Sequence, residues 1–243
     1  RILLTQGRLE EGEALLRQCL DAGSPALPDD LVYLLELLVD AGGHSAAADL
    51  AERLLETAPA SSSDELGLSR VRVRALYGLN RPQQARAVIA TALDLTEDTS
   101  FVATLLEESL GQGEWSLVDE LAAVLLEREP GEARALWLRG AALNQLGRHT
   151  EAVKSLEASL ASGAVDGFEG ELYLALAEGL LLGGDPEAAL HHASRATALE
   201  PRQPRGYELQ TRALLGLGRG VEASAAAASW ADAAARSPDP VQD

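Results

Sequence analysis

The clearest candidates for binding a ligand in the sequence are two arginines and a tyrosine. Arg70, Arg74 and Tyr77 are spaced at i, i+4 and i+7. On a helix, this spacing places two guanidinium groups and a phenol on one face. A guanidinium binds a carboxylate through two parallel hydrogen bonds, so this face could anchor an acidic side chain or the C-terminus of a polypeptide. The alternative is that the arginines pair with Glu36 and Glu107 of neighbouring helices and neutralise an acidic surface.

A second candidate combines an aromatic plate with an amide, since Trp137 and Asn144 are seven residues apart and share one side of a helix. Aromatic anchors of this kind are typical of peptide-binding surfaces. If instead Trp137 takes the core position that we assign to Leu136, the indole is buried and binds nothing. Three further charged residues are open to the choice between a binding site and a solvated surface: Glu178, Glu208 and Arg212.

The residue types needed for catalysis are present but are not arranged for it. His191 and His192 are adjacent and point to different sides of one helix, and no two of the four histidines stand at the i, i+4 spacing of a helical metal pair. The glycines lie in turns, not in a phosphate-binding loop after a strand. Paired carboxylates are common on exposed helices. The sequence therefore predicts no catalytic residue, no metal site and no cofactor, and a protein that is not an enzyme.

The element that positions these side chains is a repeat, because one turn residue returns about every 34 residues. The turn residues are Gly7, Gly42, Asn80, Gly113, Gly147, Gly184 and Gly218. The residue five positions later is usually small, as at Gly12, Ala47, Ala85, Ala152, Ala189 and Ala223. Self-similarity at this period is the signature of a stacked array that has no single central core.

Residues 170–203 show the unit most clearly. Two apolar stripes follow helical periodicity, and they consist of Tyr173, Leu176, Ala177 and Leu180, then Ala189, Ala193 and Ala196. Gly183 and Gly184 are expected to end the first helix with positive φ angles. Asp185 is expected to cap the second helix, with Pro186 in its first turn. The unit is therefore a pair of amphipathic helices.

This unit resembles the tetratricopeptide repeat, a pattern of about 34 residues with characteristic classes of residue at fixed positions. The large, small, turn and closing positions of that pattern hold Tyr173, Ala177, Ala189, Ala196, Gly184 and Pro201. The resemblance implies an all-α solenoid, a right-handed superhelix of antiparallel helix hairpins with about six full repeats after a partial one. The predicted segments are 1–27 (partial repeat), 28–61, 66–98, 99–132, 133–166, 170–203, 204–237 and a flexible tail at 238–243. The insertions Ser61–Asp64 and part of 162–170 are predicted to be loops.

In that family, the first helix of each hairpin lines the inner wall of the superhelix. The resemblance therefore implies a partner-binding groove of mixed character, lined by Glu36, Arg70, Arg74, Tyr77, Glu107, Trp137, Asn144, Glu178, Glu208 and Arg212. Some relatives bind the terminal carboxylate of chaperones with a lysine and asparagine clamp. That clamp is missing here, because the single lysine, Lys154, is expected on a second helix.

The net charge of the protein limits its partners. Net charge is −18, and residues 1–132 carry 24 acids against 10 bases. Such a field repels phosphate backbones and favours a cationic or neutral ligand, although it also serves solubility. No apolar run is long enough to span a membrane.

The composition also indicates the source of the protein. Among the 20 bases, 19 are arginine, which indicates a GC-rich bacterial source. Cytoplasm and periplasm both stay open, with the periplasm favoured. Because the sequence starts at Arg1, we interpret it as a segment of a longer protein.

These observations favour a non-enzymatic scaffold that binds a protein or peptide partner in its groove. One setting is a bacterial envelope or secretion assembly, in which arrays of this family serve exopolysaccharide export. Two alternatives stay open. The array could contact a cationic polysaccharide directly or recruit its modifying enzyme, or it could be a ligand-sensing or regulatory module of a multidomain protein.

Overall fold

The structure, a computed structural model, describes residues 8–21, 28–57 and 62–236, and every regular element in these ranges is an α-helix. The thirteen helices of the described residues are α1 Leu9–Asp21, α2 Pro28–Asp40, α3 His44–Thr57, α4 Ser62–Gly78, α5 Pro82–Leu95, α6 Thr99–Gly111, α7 Trp115–Arg128, α8 Ala133–Gln145, α9 His149–Ser162, α10 Glu169–Leu182, α11 Pro186–Leu199, α12 Pro204–Gly216 and α13 Gly220–Arg236. The all-α prediction is confirmed for these residues.

The protein forms two compact units, Arg1–Glu108 and Ser109–Asp243, here called unit 1 and unit 2. In unit 1, α2 packs on α3 and α4 packs on α5, and α4 also contacts both helices of the preceding pair. In unit 2 the same arrangement recurs with the pairs α8 and α9, α10 and α11, and α12 and α13. First helices of neighbouring pairs thus contact one another, α2 with α4 in unit 1 and α10 with both α8 and α12 in unit 2, which is how a helical solenoid stacks its repeats.

Small residues at repeat spacing let the helices approach closely. In unit 1, Ala47 and Ala51 of α3 are fully buried beside Leu35 and Leu38 of α2 in one hydrophobic cluster. Unit 2 has an equivalent cluster around Leu156, Leu172 and Leu176, which reaches Phe168 at the start of α10. Alanine contributes little side-chain volume and favours helix, so such a fold is stabilised by neighbour contacts repeated along the stack.

The turn residues predicted from the sequence adopt the backbone conformation that a tight helix-to-helix turn requires. Positive φ angles occur at Gly42, Gly113, Gly147, Gly184 and Gly218, and the one turn position without glycine, Asn80, has a φ of 56°. Asparagine is one of the few residues that tolerate this region. Gly7 lies outside the described residues.

Local details of the 170–203 unit are mostly as predicted. The Asp185 carboxylate accepts a hydrogen bond from the Ala188 amide at 3.0 Å and caps α11, with Pro186 in the first turn. Only one of the two glycines has a positive φ, because Gly183 ends α10 in the right-handed region at −75°. Residues 163–168 separate α9 from α10 without regular structure, as expected for the predicted loop in this segment.

One predicted loop is wrong. We expected Ser61–Asp64 to be irregular, whereas α4 begins at Ser62 and runs for 17 residues. Asp64 and Glu65 lie in the first turn of this helix, where carboxylates interact favourably with the positive end of the helix dipole. The inserted residues therefore lengthen a helix at its start.

Pro59, Ser61 and the tail at 238–243 lie outside the described residues, as do the side chains of Cys19 and Leu20. Within the part of the protein that is described, no helix is both long enough and apolar enough to cross a membrane.

Candidate functional site

In unit 1, the first helices carry a row of charge pairs. The Arg70 guanidinium donates to the Glu36 carboxylate, and Arg74 donates to Asp40 at 2.8 Å, so α4 is paired with α2 at two successive turns. Both arginines are about one-third exposed. Of the two interpretations left open by the sequence, pairing with neighbouring helices is the one found. Glu36 is the partner of Arg70, as that interpretation expected, and Asp40 is a further partner that it did not name.

Glu108 of α6 extends this row on the other side of α4. Its Oε1 lies 3.9 Å from Nε of Arg74, and its buried Oε2 has no hydrogen-bond partner among the described residues. Burial raises the pKa of the Glu108 carboxyl to about 7, against the opposing effect of Arg70 and Arg74 and with the help of the Glu36 charge. We call Glu36, Asp40, Arg70, Arg74 and Glu108 the charged ladder.

Paired members of the charged ladder are one repeat period apart in the sequence. Glu36 and Arg70 are 34 residues apart, and so are Asp40 and Arg74. This is the period of the turn residues, so residues one period apart face one another on adjacent first helices. A search for opposite charges at that separation would have found Asp40 and also Glu108, both of which the sequence interpretation missed.

The two other candidates in unit 1 do not belong to the ladder. Tyr77 is only 8% exposed and belongs to the core, although its i+7 spacing from Arg70 suggested a shared face. Glu107, next to Glu108, is exposed. The spacing thus predicted the side of the helix correctly for the arginines but could not predict how deeply each side chain is buried.

In unit 2, Trp137 forms the aromatic part of the first-helix face. Its ring stacks on Phe168, with centroids 5.0 Å apart and ring planes at 24°, and the Arg134 guanidinium lies 5.9 Å from the Trp137 ring centroid. Trp137 is half-buried against the hydrophobic cluster of this unit. It therefore supports packing through one ring face while part of the indole stays accessible. The sequence did not single out Phe168 as its neighbour.

Asn144 has a structural contact. Its side chain is 6% exposed, and its Nδ2 donates to the carbonyl oxygen of Ala175 at 2.8 Å, which connects α8 to α10. Its Oδ1 lies 2.7 Å from the position that a Cβ on Gly179 would take. Asn144 thus fills a close contact between two first helices and offers little to a partner.

The remaining candidates in unit 2 are connected by an arginine that the sequence interpretation missed. Arg205 donates to Glu178 at 2.6 Å and to Glu208 at 2.7 Å. Arg212 lies 3.6 Å from the other oxygen of Glu208. All four side chains are between one-fifth and about two-fifths exposed. A charge network therefore joins α10 to α12, as the charged ladder joins α2 to α4 in unit 1.

No group of three or more histidine, cysteine, aspartate or glutamate side chains in the described residues could hold a metal ion. His191 and His192 meet edge to face at 5.2 Å, and His192 stacks on Tyr173. Burial lowers the pKa of His192, and the neighbouring His191 adds to that effect. The histidine rings therefore serve the packing of α11 and are not arranged as a metal site.

Helical pairs that stack on one another through both of their helices define an α-solenoid. A family model described as Tetratricopeptide repeat matches residues 119–166. Together with the fold and the repeated pattern of turn and small residues, this match supports the resemblance of the protein to the tetratricopeptide-repeat family.

Solved structures support the same fold. MamA from Desulfovibrio magneticus RS-1, from residue 41 to its end, is 14% identical, covers 74% of this chain and 100% of its own, and superposes with a TM-score of 0.61. The C-terminal part of a TPR repeat-containing protein from Cytophaga hutchinsonii is also 14% identical, covers 84% of this chain and 79% of its own, and has a TM-score of 0.63. A search of curated proteins finds no matching sequence.

Proposed function

We propose that this protein is a non-enzymatic scaffold that binds a segment of another protein on the faces of its first helices. The observation that carries the proposal is the row of partly exposed charged and aromatic side chains that successive first helices present on a preformed helical stack. A surface that is already ordered limits the entropic cost of binding, so many modest contacts add up. The family resemblance implies the same arrangement, because the first helix of each hairpin lines the inner wall in that family.

The charge pairs specify which partner suits unit 1. Arg70 and Arg74 are already engaged by Glu36 and Asp40, so an acidic partner would have to displace carboxylates of the protein itself. The charged ladder contains three carboxylates and two guanidinium groups. A neutral segment or one with a basic residue therefore suits this face better than an acidic anchor.

In unit 2, the accessible part of Trp137 provides an apolar contact on α8, and the network of Glu178, Arg205 and Glu208 provides hydrogen-bonding groups on α10 and α12. An aromatic side chain beside paired charges is an arrangement that binding surfaces use for affinity and orientation. The envelope or export setting, the cationic polysaccharide, the sensor module and the periplasmic location stay predictions.

A photo-crosslinking residue placed on each side of the same unit would test the proposal. Leu215 of α12 is 61% exposed on a first helix, and Leu199 of α11 is 47% exposed on a second helix, so the two positions are matched in type and accessibility. In cells that make the protein, we expect a crosslinker at position 215 to yield a discrete protein adduct identifiable by mass spectrometry. The same residue at position 199 should yield no such adduct.

The outcomes separate the candidate functions. Equal adducts from both positions, or an adduct from position 199 alone, would contradict binding through the first helices. An adduct with carbohydrate in place of protein at position 215 would support the polysaccharide alternative.

A further inference from the structure

Glu108 differs from the other carboxylates of the charged ladder in its environment. Glu36 and Asp40 each accept a hydrogen bond from an arginine, whereas Glu108 approaches Arg74 only at 3.9 Å. Its side chain is 22% exposed, and Oε2 is shielded from water without a hydrogen-bond partner in the described structure. An ionised carboxylate with one oxygen in this position loses hydration that nothing among these residues replaces.

The charges around Glu108 do not fully compensate for this loss. Arg70 and Arg74 of α4 favour the ionised form, but each already neutralises a carboxylate of α2. Glu36 of α2 opposes ionisation directly. Glu108 also lies in the last turn of α6, where the helix dipole disfavours a negative charge.

We propose that Glu108, with its shielded Oε2 beside α4, is a proton switch that changes the charge of the charged ladder. With the Glu108 carboxyl neutral, the ladder has two carboxylates and two guanidinium groups and no net charge. With Glu108 ionised, the ladder carries one negative charge, and the buried Oε2 becomes costly to keep away from water. The arrangement in which Glu108 is shielded beside α4 therefore belongs to the protonated form.

The direction of the stability change follows from linkage. The pKa of Glu108 is raised to about 7 in the folded protein from its ordinary value of 4.5. The folded state thus binds the proton more tightly than the unfolded state, and the resulting stability is complete below the ordinary value and is lost as pH rises through about 7. An ion pair that simply stabilised the fold would give the opposite dependence.

The test compares the wild-type protein with E108Q and with E107Q between pH 5 and pH 8. Glutamine keeps the shape of a neutral carboxyl, so E108Q should lose less stability than the wild type over this range in urea denaturation. E107Q removes an exposed glutamate from the adjacent position of the same helix and should follow the wild-type dependence. In carbon-detected NMR, one glutamate carboxyl resonance should titrate with a midpoint near neutral pH and should be missing in E108Q.

Parallel pH profiles for the wild type and E108Q would overturn the proposal, and so would a Glu108 resonance that titrates with a midpoint below 5. Neither readout requires a binding partner. A failure here therefore leaves the scaffold function standing, and a failure to find a partner leaves the proton switch standing.

Discussion

Replacing Gly140 with alanine is expected to destabilise the protein by about 2–3 kcal/mol, although alanine is the better helix former. A Cβ at position 140 of α8 would lie 2.7 Å from Cδ2 of Leu156 and 3.1 Å from the carbonyl oxygen of Ala152, both on α9. Leu156 is fully buried and cannot turn away. Overpacking of this kind exceeds the gain of about 1 kcal/mol in helix propensity. The measurement is the free energy of unfolding in urea, followed by circular dichroism.

Gly111 provides the matched control, because it ends α6 and a Cβ there would meet no atom within 4 Å. Gly111→Ala should leave stability unchanged or raise it slightly. A second check uses the contact itself, since Leu156→Ala should cost less in the Gly140→Ala background than alone. Equal stability of the two glycine variants would contradict the close packing of α8 against α9 at Gly140.

Replacing Asn144 with aspartate is expected to cost roughly 3 kcal/mol at neutral pH, with almost no change in shape. The substitution exchanges the amide group that donates to the Ala175 carbonyl for a carboxylate oxygen, which cannot donate. The charge would be buried at a position that is 6% exposed, against a carbonyl oxygen. The cost should shrink at low pH, because a neutral carboxyl can again donate, so stability is regained as the group takes up a proton.

The neighbouring residue supplies the control for this experiment. Gln145 is exposed at the end of α8, and Gln145→Glu introduces the same charge and the same change of atoms. Its unfolding free energy should stay within about 0.5 kcal/mol of the wild type. Urea denaturation of both variants at pH 4 and pH 7.5 makes the comparison. Equal behaviour at both pH values would show that Asn144 does not connect α8 to α10.

Much of the fold could be predicted because it depends on local chemistry that repeats. A positive φ at Gly184, a carboxylate cap at Asp185 and a proline after it are each readable from a few neighbouring residues. The Ser61–Asp64 segment was misassigned because serine and aspartate favour both loops and helix starts. What separates the two outcomes is the packing of the helix that follows, which a local pattern does not contain.

The sequence predicted which side chains share one side of a helix, but it did not predict how deeply each of them is buried. Helical spacing predicted that Arg70 and Arg74 share one side of α4, and in the structure both pair with residues of α2 one repeat period away. Tyr77 of α4 and Asn144 of α8 were also predicted to lie on the binding face of their helices, yet both side chains are buried. The burial of a side chain depends on how closely adjacent helices approach, which helical spacing does not contain. The half-burial of Trp137 likewise depends on contacts with residues outside its own helix, such as Phe168.

Side-chain footprinting of the carboxylates would test the central claim most directly, since the protein has 38 acidic residues to report on all of its faces. The protein would be labelled with a carbodiimide and an amine, alone and with the partner recovered by crosslinking. We predict reduced labelling on first helices, at Glu36, Glu178 and Glu208. Labelling should be unchanged on second helices, at Glu52, Glu120 and Glu157. Protection confined to the second helices would contradict a scaffold that binds through its first helices.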